Sequence, residues 1–235
     1  MRDQPYTATD HGEKTRGLSP VTSPSMRPPI HLEHDWYPCG IPGNVVLGED
    51  VYLDSSYGFA AFHSEREPGA VLGDACGAYD RATLVVGPDG EVAVGAYTVL
   101  NGVYLVCNRR ISIGAHCLLA WGAVLTDSWS PERVPAAARR AVARAAAADP
   151  RRIFPLAGEP RPVTVEDNVW VGFDSVILPG VTLGRGCVIG CKTVVDVDVP
   201  PYAVVVGSPA RILRHLDPDD TDEVRRRALA ERARA

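Results

Sequence analysis

Aliphatic residues recur at every sixth position along the C-terminal half of the chain. Six consecutive hexads cover residues 165–200, and each begins with an aliphatic residue: Val165, Val171, Ile177, Leu183, Ile189 and Val195. The fifth positions are small or β-branched: Val169, Ser175, Val181, Cys187, Thr193 and Val199. A period of six fits neither the alternation of an exposed sheet nor the 3.6-residue turn of a helix. It predicts short parallel strands that stack in coils, with the first and fifth positions facing inward.

The same register appears upstream. Hexads begin at Val94, Leu100, Ile113, Leu119 and Leu125, with one extra residue before Ile113, and the pattern recurs over residues 41–58. Residues 60–92 interrupt it with SEREPGA and GPDG, which are typical of turns. The repeat therefore predicts an all-β chain built as a solenoid.

Three motifs point to a known family: DNVWVG at 167–172, LPGVTLG at 178–184 and VPPYAVVVGSPARIL at 199–213. With them the chain resembles the hexapeptide-repeat acyltransferases, most closely the branch of maltose, galactoside and xenobiotic O-acetyltransferases. The resemblance covers about residues 92–213, and 41–58 weakly. It implies a left-handed parallel β-helix with three hexads to a coil. It also implies a homotrimer that transfers an acyl group from a thioester to a hydroxyl or amine of a small molecule. We expect specialised metabolism as the setting.

The pattern divides the chain into three regions and one insert. Residues 1–30 hold five prolines without apolar periodicity and are predicted to be a flexible arm. The β-helix domain covers 31–213, and a helical insert occupies about 131–162, where nine of the thirteen residues from Ala136 to Ala148 are alanine. The resemblance implies that this insert is a substrate lid; the alternative is a helix that packs on the side of the coils. Residues 214–235 are predicted to form a closing helix, because Asp220 and Glu223 have the spacing of a helix start.

Composition excludes several classes of function. A net charge of −5 offers no overall attraction for nucleic acid, and no apolar run approaches the length of a membrane span, so we expect neither partner and a cytoplasmic location. The six cysteines include no CxxC pair, which favours buried free thiols. The histidines form no ligand-spaced cluster, so no metal is predicted.

The candidate catalytic residues are Asp127, Ser130 and His116. In the resembled family a histidine ends the hexad before the outgoing loop and takes the acceptor's proton; here Ser130 stands at that place, in LTDSWSPER. A serine hydroxyl needs a base of its own for this role. Asp127 is the nearest acid, or else a turn aspartate that bonds its own backbone. His116 occupies an outward fourth position, where it is either an acid/base or an exposed structural histidine.

Candidate binding residues follow the same register. Trp121 and Trp170 lie at outward positions and Trp129 at an inward fifth position, and outward aromatics on a solenoid favour an interface groove; simple packing between subunits is the alternative. Together with Asn101 and Asn168 these tryptophans are predicted to bind substrate. For the acyl donor, the resemblance implies backbone groups along the last coils and a basic residue in the closing motif. The corresponding residues are Ser175, Gly190, Cys191 and Arg211.

The donor itself is left open by the sequence. No permanently bound cofactor is predicted, and acyl-coenzyme A or a carrier-protein thioester is the expected co-substrate. Relatives have threonine and lysine where this chain has Asp196 and Val197, and an acidic group there disfavours a nucleotide phosphate. Two alternatives to acyl transfer therefore remain. One is elimination, cyclisation, isomerisation or hydrolysis in the same groove with Asp127 or His116 as acid/base; the other is a non-catalytic binding or assembly protein.

Overall fold

The chain consists mostly of short parallel strands. A computed structural model describes residues 27–129, 135–148 and 158–217, together with Glu223 and Arg226. Within these ranges the strands are β1 (Val45–Leu47), β2 (Tyr52–Leu53), β3 (Ala70–Leu72), β4 (Gly77–Tyr79), β5 (Thr83–Val86), β6 (Glu91–Val94), β7 (Val99–Asn101), β8 (Tyr104–Cys107), β9 (Arg110–Ile113), β10 (Leu118–Leu119), β11 (Val124–Thr126), β12 (Val163–Val165), β13 (Trp170–Val171), β14 (Val176–Ile177), β15 (Thr182–Leu183), β16 (Val188–Ile189), β17 (Val194–Val195), β18 (Ala203–Val206) and β19 (Arg211–His215). A 3-10 turn covers Ser56–Phe59, and helix α1 covers Ala136–Ala148.

The strands form three sheets. The first has the order β1-β3-β6-β9-β12-β15, the second β19-β18-β16-β13-β10-β7-β4-β2, and the third β17-β14-β11-β8-β5. From β3 to β17 the chain passes from the first sheet to the second, then to the third, and back to the first. All pairings are parallel except that of β18 with β19. The expected all-β architecture with parallel sheets is confirmed.

The register of the sheets matches the hexad repeat. Val165 pairs with Leu183 and Val171 pairs with Ile189, each eighteen residues and therefore three hexads ahead. All twelve first and fifth positions of the hexads from 165 to 200 are buried, with at most 4% of their surface exposed. The inward positions read from the sequence are confirmed, and they form one continuous apolar core.

Close stacking of coils explains the glycines at the second hexad position. A Cβ on Gly172 would lie 2.7 Å from the backbone nitrogen of Cys191, and a Cβ on Gly95 would lie 2.6 Å from that of Ala115. These distances leave no room for a side chain. The glycines therefore permit the turns of successive coils to approach one another.

The regular sheets continue through the region in which the hexad pattern was interrupted. Residues 60–92, read from the sequence as turns, contain β3, β4 and β5 and the start of β6. The stretch LGDACG, from Leu72 to Gly77, is a further hexad, and its first and fifth residues, Leu72 and Cys76, are buried. Most of this region therefore belongs to the same stack.

The ends of the chain differ in part from the predictions. Ile30 pairs with Ile41 in an antiparallel bridge, so the end of the predicted arm is docked, while residues 1–26 lie outside the described residues. The predicted helix over 214–235 is wrong at its start, since Arg214 and His215 belong to β19. That strand pairs antiparallel to β18 because the chain turns back after residue 206. Further on, Glu223 has helical backbone.

The insert contains the predicted helix. Helix α1 has the bounds of the alanine-rich stretch, and none of its residues is buried. No helix within the described ranges combines the length and hydropathy that crossing a bilayer would require.

Candidate functional site

The predicted site residues fall on different turns of the stack. We call the turns from the first to the second sheet the first corner, those from the second to the third the second corner, and those from the third back to the first the third corner. His116 and Asn168 lie on the first corner, Trp121 and Cys191 on the second, and Asp127 on the third. One protomer therefore does not bring all the candidates together.

Asp127 is completely buried and acts as an anchor for a neighbouring turn. Its carboxylate accepts hydrogen bonds from three successive backbone N–H groups, those of Asn108 at 2.9 Å, Arg109 at 2.7 Å and Arg110 at 2.8 Å. The Ser128 hydroxyl donates to the same carboxylate at 2.5 Å. The bonded backbone belongs to the preceding coil. The alternative interpretation, a turn aspartate that bonds its own backbone, is therefore wrong. These contacts satisfy the carboxylate and leave it inaccessible to solvent.

A thiol lies against the same carboxylate. The Cys107 Sγ is 3.4 Å from Oδ2 of Asp127. Burial, and then the negative charge of Asp127, hold the pKa of Cys107 well above its ordinary value. The thiol is therefore protonated at neutral pH and contributes packing rather than reactivity.

The segment after Asp127 leaves the stack at once. Strand β11 ends at Thr126, and Trp129 is 52% exposed, which corrects the inward position assigned to it from the hexad count. The reason is that the tight turn around Asp127 interrupts the register. Ser130 lies outside the described residues. The backbone N–H of Arg161 donates to the Asp127 carbonyl at 2.8 Å, so the two ends of the insert meet at this corner.

His116 is exposed at the first corner, as its hexad position predicts. Its backbone has a positive φ of 59°, and its ring stacks on Tyr97 with centroids 5.1 Å apart and planes 10° from parallel. Asn168 occupies the equivalent position in the next coil, also with φ of 59°. The Asn168 backbone N–H donates to the carbonyl of Ala115 at 2.8 Å, which fixes the two residues side by side.

The outer face of the second sheet runs from this corner to the next. Leu118 and Trp170 are register partners on it, 41% and 36% exposed. Val99 and Val188 continue the same row on either side. An exposed apolar row of this kind is typical of a surface that another molecule covers.

Two aromatic rings border this face at the second corner. Trp121 and Phe173 stack with centroids 5.7 Å apart, and both rings are nearly half exposed. Asn101 ends β7 in the coil before Trp121. Asn101 is partly exposed. Phe173 was absent from the sequence prediction, although it fills the same hexad position as Trp121.

The residues predicted to bind the acyl donor include buried and exposed ones. Ser175 is buried inside the coil, where its hydroxyl donates to the carbonyl of Gly190 at 2.9 Å. Cys191 is exposed at the second corner, next to Lys192, whose Nζ lies 3.7 Å from a carboxylate oxygen of Asp174. Arg211 is exposed at the start of β19. Ser175 therefore supports the coil from inside, while the others border the second sheet.

A second aromatic row extends this surface toward the N-terminal coils. Tyr52 and Tyr79 stack at 5.1 Å, and His34 stacks on Tyr52 at 6.1 Å. A Cβ on Gly77 would lie 2.2 Å from the Tyr79 ring, so the absent side chain lets this ring lie flat. The hexad pattern gives no indication of this row, because its residues precede the clean repeats.

No metal centre is evident. Nowhere in the described ranges do three His, Cys, Asp or Glu side chains gather closely enough to hold an ion.

Comparison with known proteins identifies the repeat. Residues 162–196 match the family described as bacterial transferase hexapeptide (six repeats). This part of the chain is similar to the hexapeptide-repeat transferases. The resemblance stated from the sequence is thereby confirmed.

Individual relatives agree with this assignment. A provisionally named acetyltransferase of Schizosaccharomyces pombe is 48% identical over 56 residues, which are 24% of this chain and 27% of that protein. The chloramphenicol acetyltransferase of Agrobacterium fabrum is 44% identical over 57 residues, again 24% of this chain and 27% of that protein. The matched region thus spans about a quarter of the length of these relatives.

One solved structure matches over a larger share. The hexapeptide-repeat acetyltransferase of Vibrio cholerae O1 biovar eltor, complexed with acetyl coenzyme A, is 28% identical to this chain with a TM-score of 0.50. The match covers 69% of this chain and 76% of that protein.

Proposed function

We propose that this protein is an acyltransferase that moves an acyl group from a coenzyme A or carrier-protein thioester to a hydroxyl or amine of a small molecule. The observation that carries the proposal is the 28% identity, over 69% of the chain, to an acetyltransferase with acetyl coenzyme A bound. The acetyltransferase names of the relatives matched around the hexapeptide repeat support it further. Specialised metabolism is the setting we propose for the reaction.

The proposed site is the outer face of the second sheet with its two bordering corners. Eight of the predicted residues lie on this face or at its edges: Asn101, His116, Trp121, Asn168, Trp170, Gly190, Cys191 and Arg211. The apolar row and the Trp121–Phe173 stack provide walls that exclude water. Asn101 and Asn168 provide polar groups that can orient a hydroxyl or amine.

The proposed architecture closes the site between subunits. The three sheets are the faces of a left-handed parallel β-helix, and three such chains form a homotrimer. The support is the exposed apolar row on the second sheet, which a neighbouring copy would bury. Such burial stabilises by about 25 cal/mol for each Å² of apolar surface.

His116 is the acid/base in this proposal, because Asp127 is buried and its carboxylate is already bonded to three backbone N–H groups. The neutral imidazole accepts the proton of the acceptor's O–H or N–H as that group attacks the thioester carbonyl. The C–S bond then breaks, and the imidazolium returns the proton to the leaving thiolate. Stacking on Tyr97 holds the ring in position for both steps.

Two experiments test the function. Thermal unfolding with and without saturating coenzyme A or acetyl coenzyme A should show an upward shift, since a ligand at one hundred times its Kd adds about 2.7 kcal/mol of stability. Product formation from acetyl coenzyme A is then followed by chromatography against a panel of hydroxyl and amine acceptors. The proposal is overturned if coenzyme A gives no shift and no acceptor is acylated, either from acetyl coenzyme A or from an acetylated acyl carrier protein.

His116 is tested separately by His116→Gln, with His31→Gln as the matched control. The first substitution should lower kcat by about 100-fold or more, in the range of general acid–base catalysis, while the control leaves it unchanged. Equal melting temperatures show that both variants are folded. A His116→Gln variant with wild-type kcat would remove His116 from the mechanism and leave acyl transfer itself standing.

A further inference from the structure

Helix α1 carries positive charge without any acid. Its thirteen residues include Arg139, Arg140 and Arg144, and the remaining ten are alanine or valine. Taking three positive charges from the chain's net −5 leaves −8 on the rest. The helix is therefore a basic segment of an otherwise acidic protein.

The helix is also exposed along its length. None of its residues is buried, and Val142 is 37% exposed. An isolated helix shorter than about 12–15 residues is marginal in water, because most helical stability in proteins comes from packing of one face. A partner that covers α1 would supply that packing.

The two faces of α1 define the chemistry of such a partner. Arg140 and Arg144 are four residues apart and share a face, whereas Ala138, Ala141 and Ala145 have the spacing of the opposite, apolar face. This apolar face is too small to enter lipid, which requires large side chains such as Trp, Phe or Leu. Three arginines offer few contacts to nucleic acid, whose binding depends on neutralising many phosphates. A protein with an acidic surface fits both faces of α1, because its acids pair with the arginines and its backbone can approach the alanines closely.

We propose that α1 is the docking element for an acidic acyl carrier protein that delivers the thioester. This rests on the proposed function, which requires a thioester donor of one kind or another. The exposed Asp196 agrees with a donor that carries no nucleotide, because a carboxylate repels nucleotide phosphates. Transfer breaks the C–S bond of the carrier thioester, forms a C–O or C–N bond on the acceptor, and returns the acceptor's proton to the pantetheine thiol.

The test compares three donors of the same acyl group: the acyl form of the acyl carrier protein of bacterial fatty acid synthesis, acyl-coenzyme A, and acyl-pantetheine. The variant Arg139→Glu/Arg140→Glu/Arg144→Glu reverses the charge of α1, and the triple Arg→Lys variant at the same positions keeps it. Charge reversal should lower kcat/KM for the carrier protein at least about tenfold at low salt, with less effect as salt rises. The Lys variant stays within about threefold of wild type, and acyl-pantetheine is used equally by all three proteins.

Each contrary result identifies a different error. Transfer from acyl-coenzyme A but none from the carrier protein overturns α1 docking and leaves the acyltransferase function intact. If charge reversal lowers kcat/KM for acyl-coenzyme A as much as for the carrier protein, α1 binds small-molecule phosphates or covers the site as a lid. If no donor is used, the proposed function fails, and anisotropy of the fluorescently labelled holo carrier protein decides α1 docking independently. No binding at low salt, or binding only to phosphatidylglycerol vesicles, overturns it.

Discussion

The substitution Asp127→Asn tests whether the role of this residue is structural or catalytic. The carboxylate accepts three backbone N–H bonds in a site from which solvent is excluded. An asparagine keeps one oxygen, which can serve the Arg109 and Arg110 N–H groups. Its NH₂ group then faces the N–H of Asn108, donor against donor.

The cost follows from these contacts. A buried N–H without an acceptor costs about 1–3 kcal/mol, and two bonds weaken as the acceptor loses its charge, so we expect a total of about 3 kcal/mol. For a chain of this size each kcal/mol lowers the melting temperature by about 2–4 °C, which gives a decrease of about 6–12 °C. Circular dichroism of the β signal during heating measures it.

The control is Asp89→Asn, since the Asp89 side chain is 83% exposed and its ion pair with Arg66 is at the surface. Such pairs contribute about 0–1 kcal/mol, so the melting temperature should stay within a few degrees. An Asp127→Asn variant that has the melting temperature of the wild type but has lost activity would refute the structural assignment and restore Asp127 as a catalytic candidate.

Three further predictions concern thiols and coil contacts. Of the six thiols, the exposed Cys39 and Cys191 should react rapidly with a disulfide reagent, and a count above two in the native protein would contradict the fold. Burial raises the pKa of Cys187 to about 12 against an ordinary 9. The contribution of this thiol to the free energy of unfolding is therefore complete below pH 9 and declines as the pH rises toward 12. Cys187→Ala should flatten the dependence of unfolding free energy on pH in that window, and an unchanged slope would refute it. Gly172→Ala should destabilise more than Gly190→Ala, because the new methyl group meets backbone at 2.7 Å in the first case and a movable side chain in the second; equal denaturant midpoints would contradict this.

Periodicity was sufficient to predict the core of the C-terminal coils. A strand of two or three residues between tight turns has few ways to place its side chains, so a hexad with aliphatic first positions fixes which residues face inward. Val165, Leu183 and their equivalents are buried as predicted. The outward positions of His116 and Trp121 follow from the same local rule, and both are exposed.

Only the tertiary structure decided the role of Asp127 and the location of the site. Its three donors lie 17 to 19 residues earlier, and they meet the carboxylate because strands one coil apart are paired. From the sequence, Asp127, Trp129 and Ser130 were expected at one site, yet Asp127 is buried as an anchor and Trp129 is exposed. The periodic pattern specifies the direction of each side chain from its own strand. Which atoms then meet depends on how the coils stack, and that is a property of pairs of residues distant in the chain.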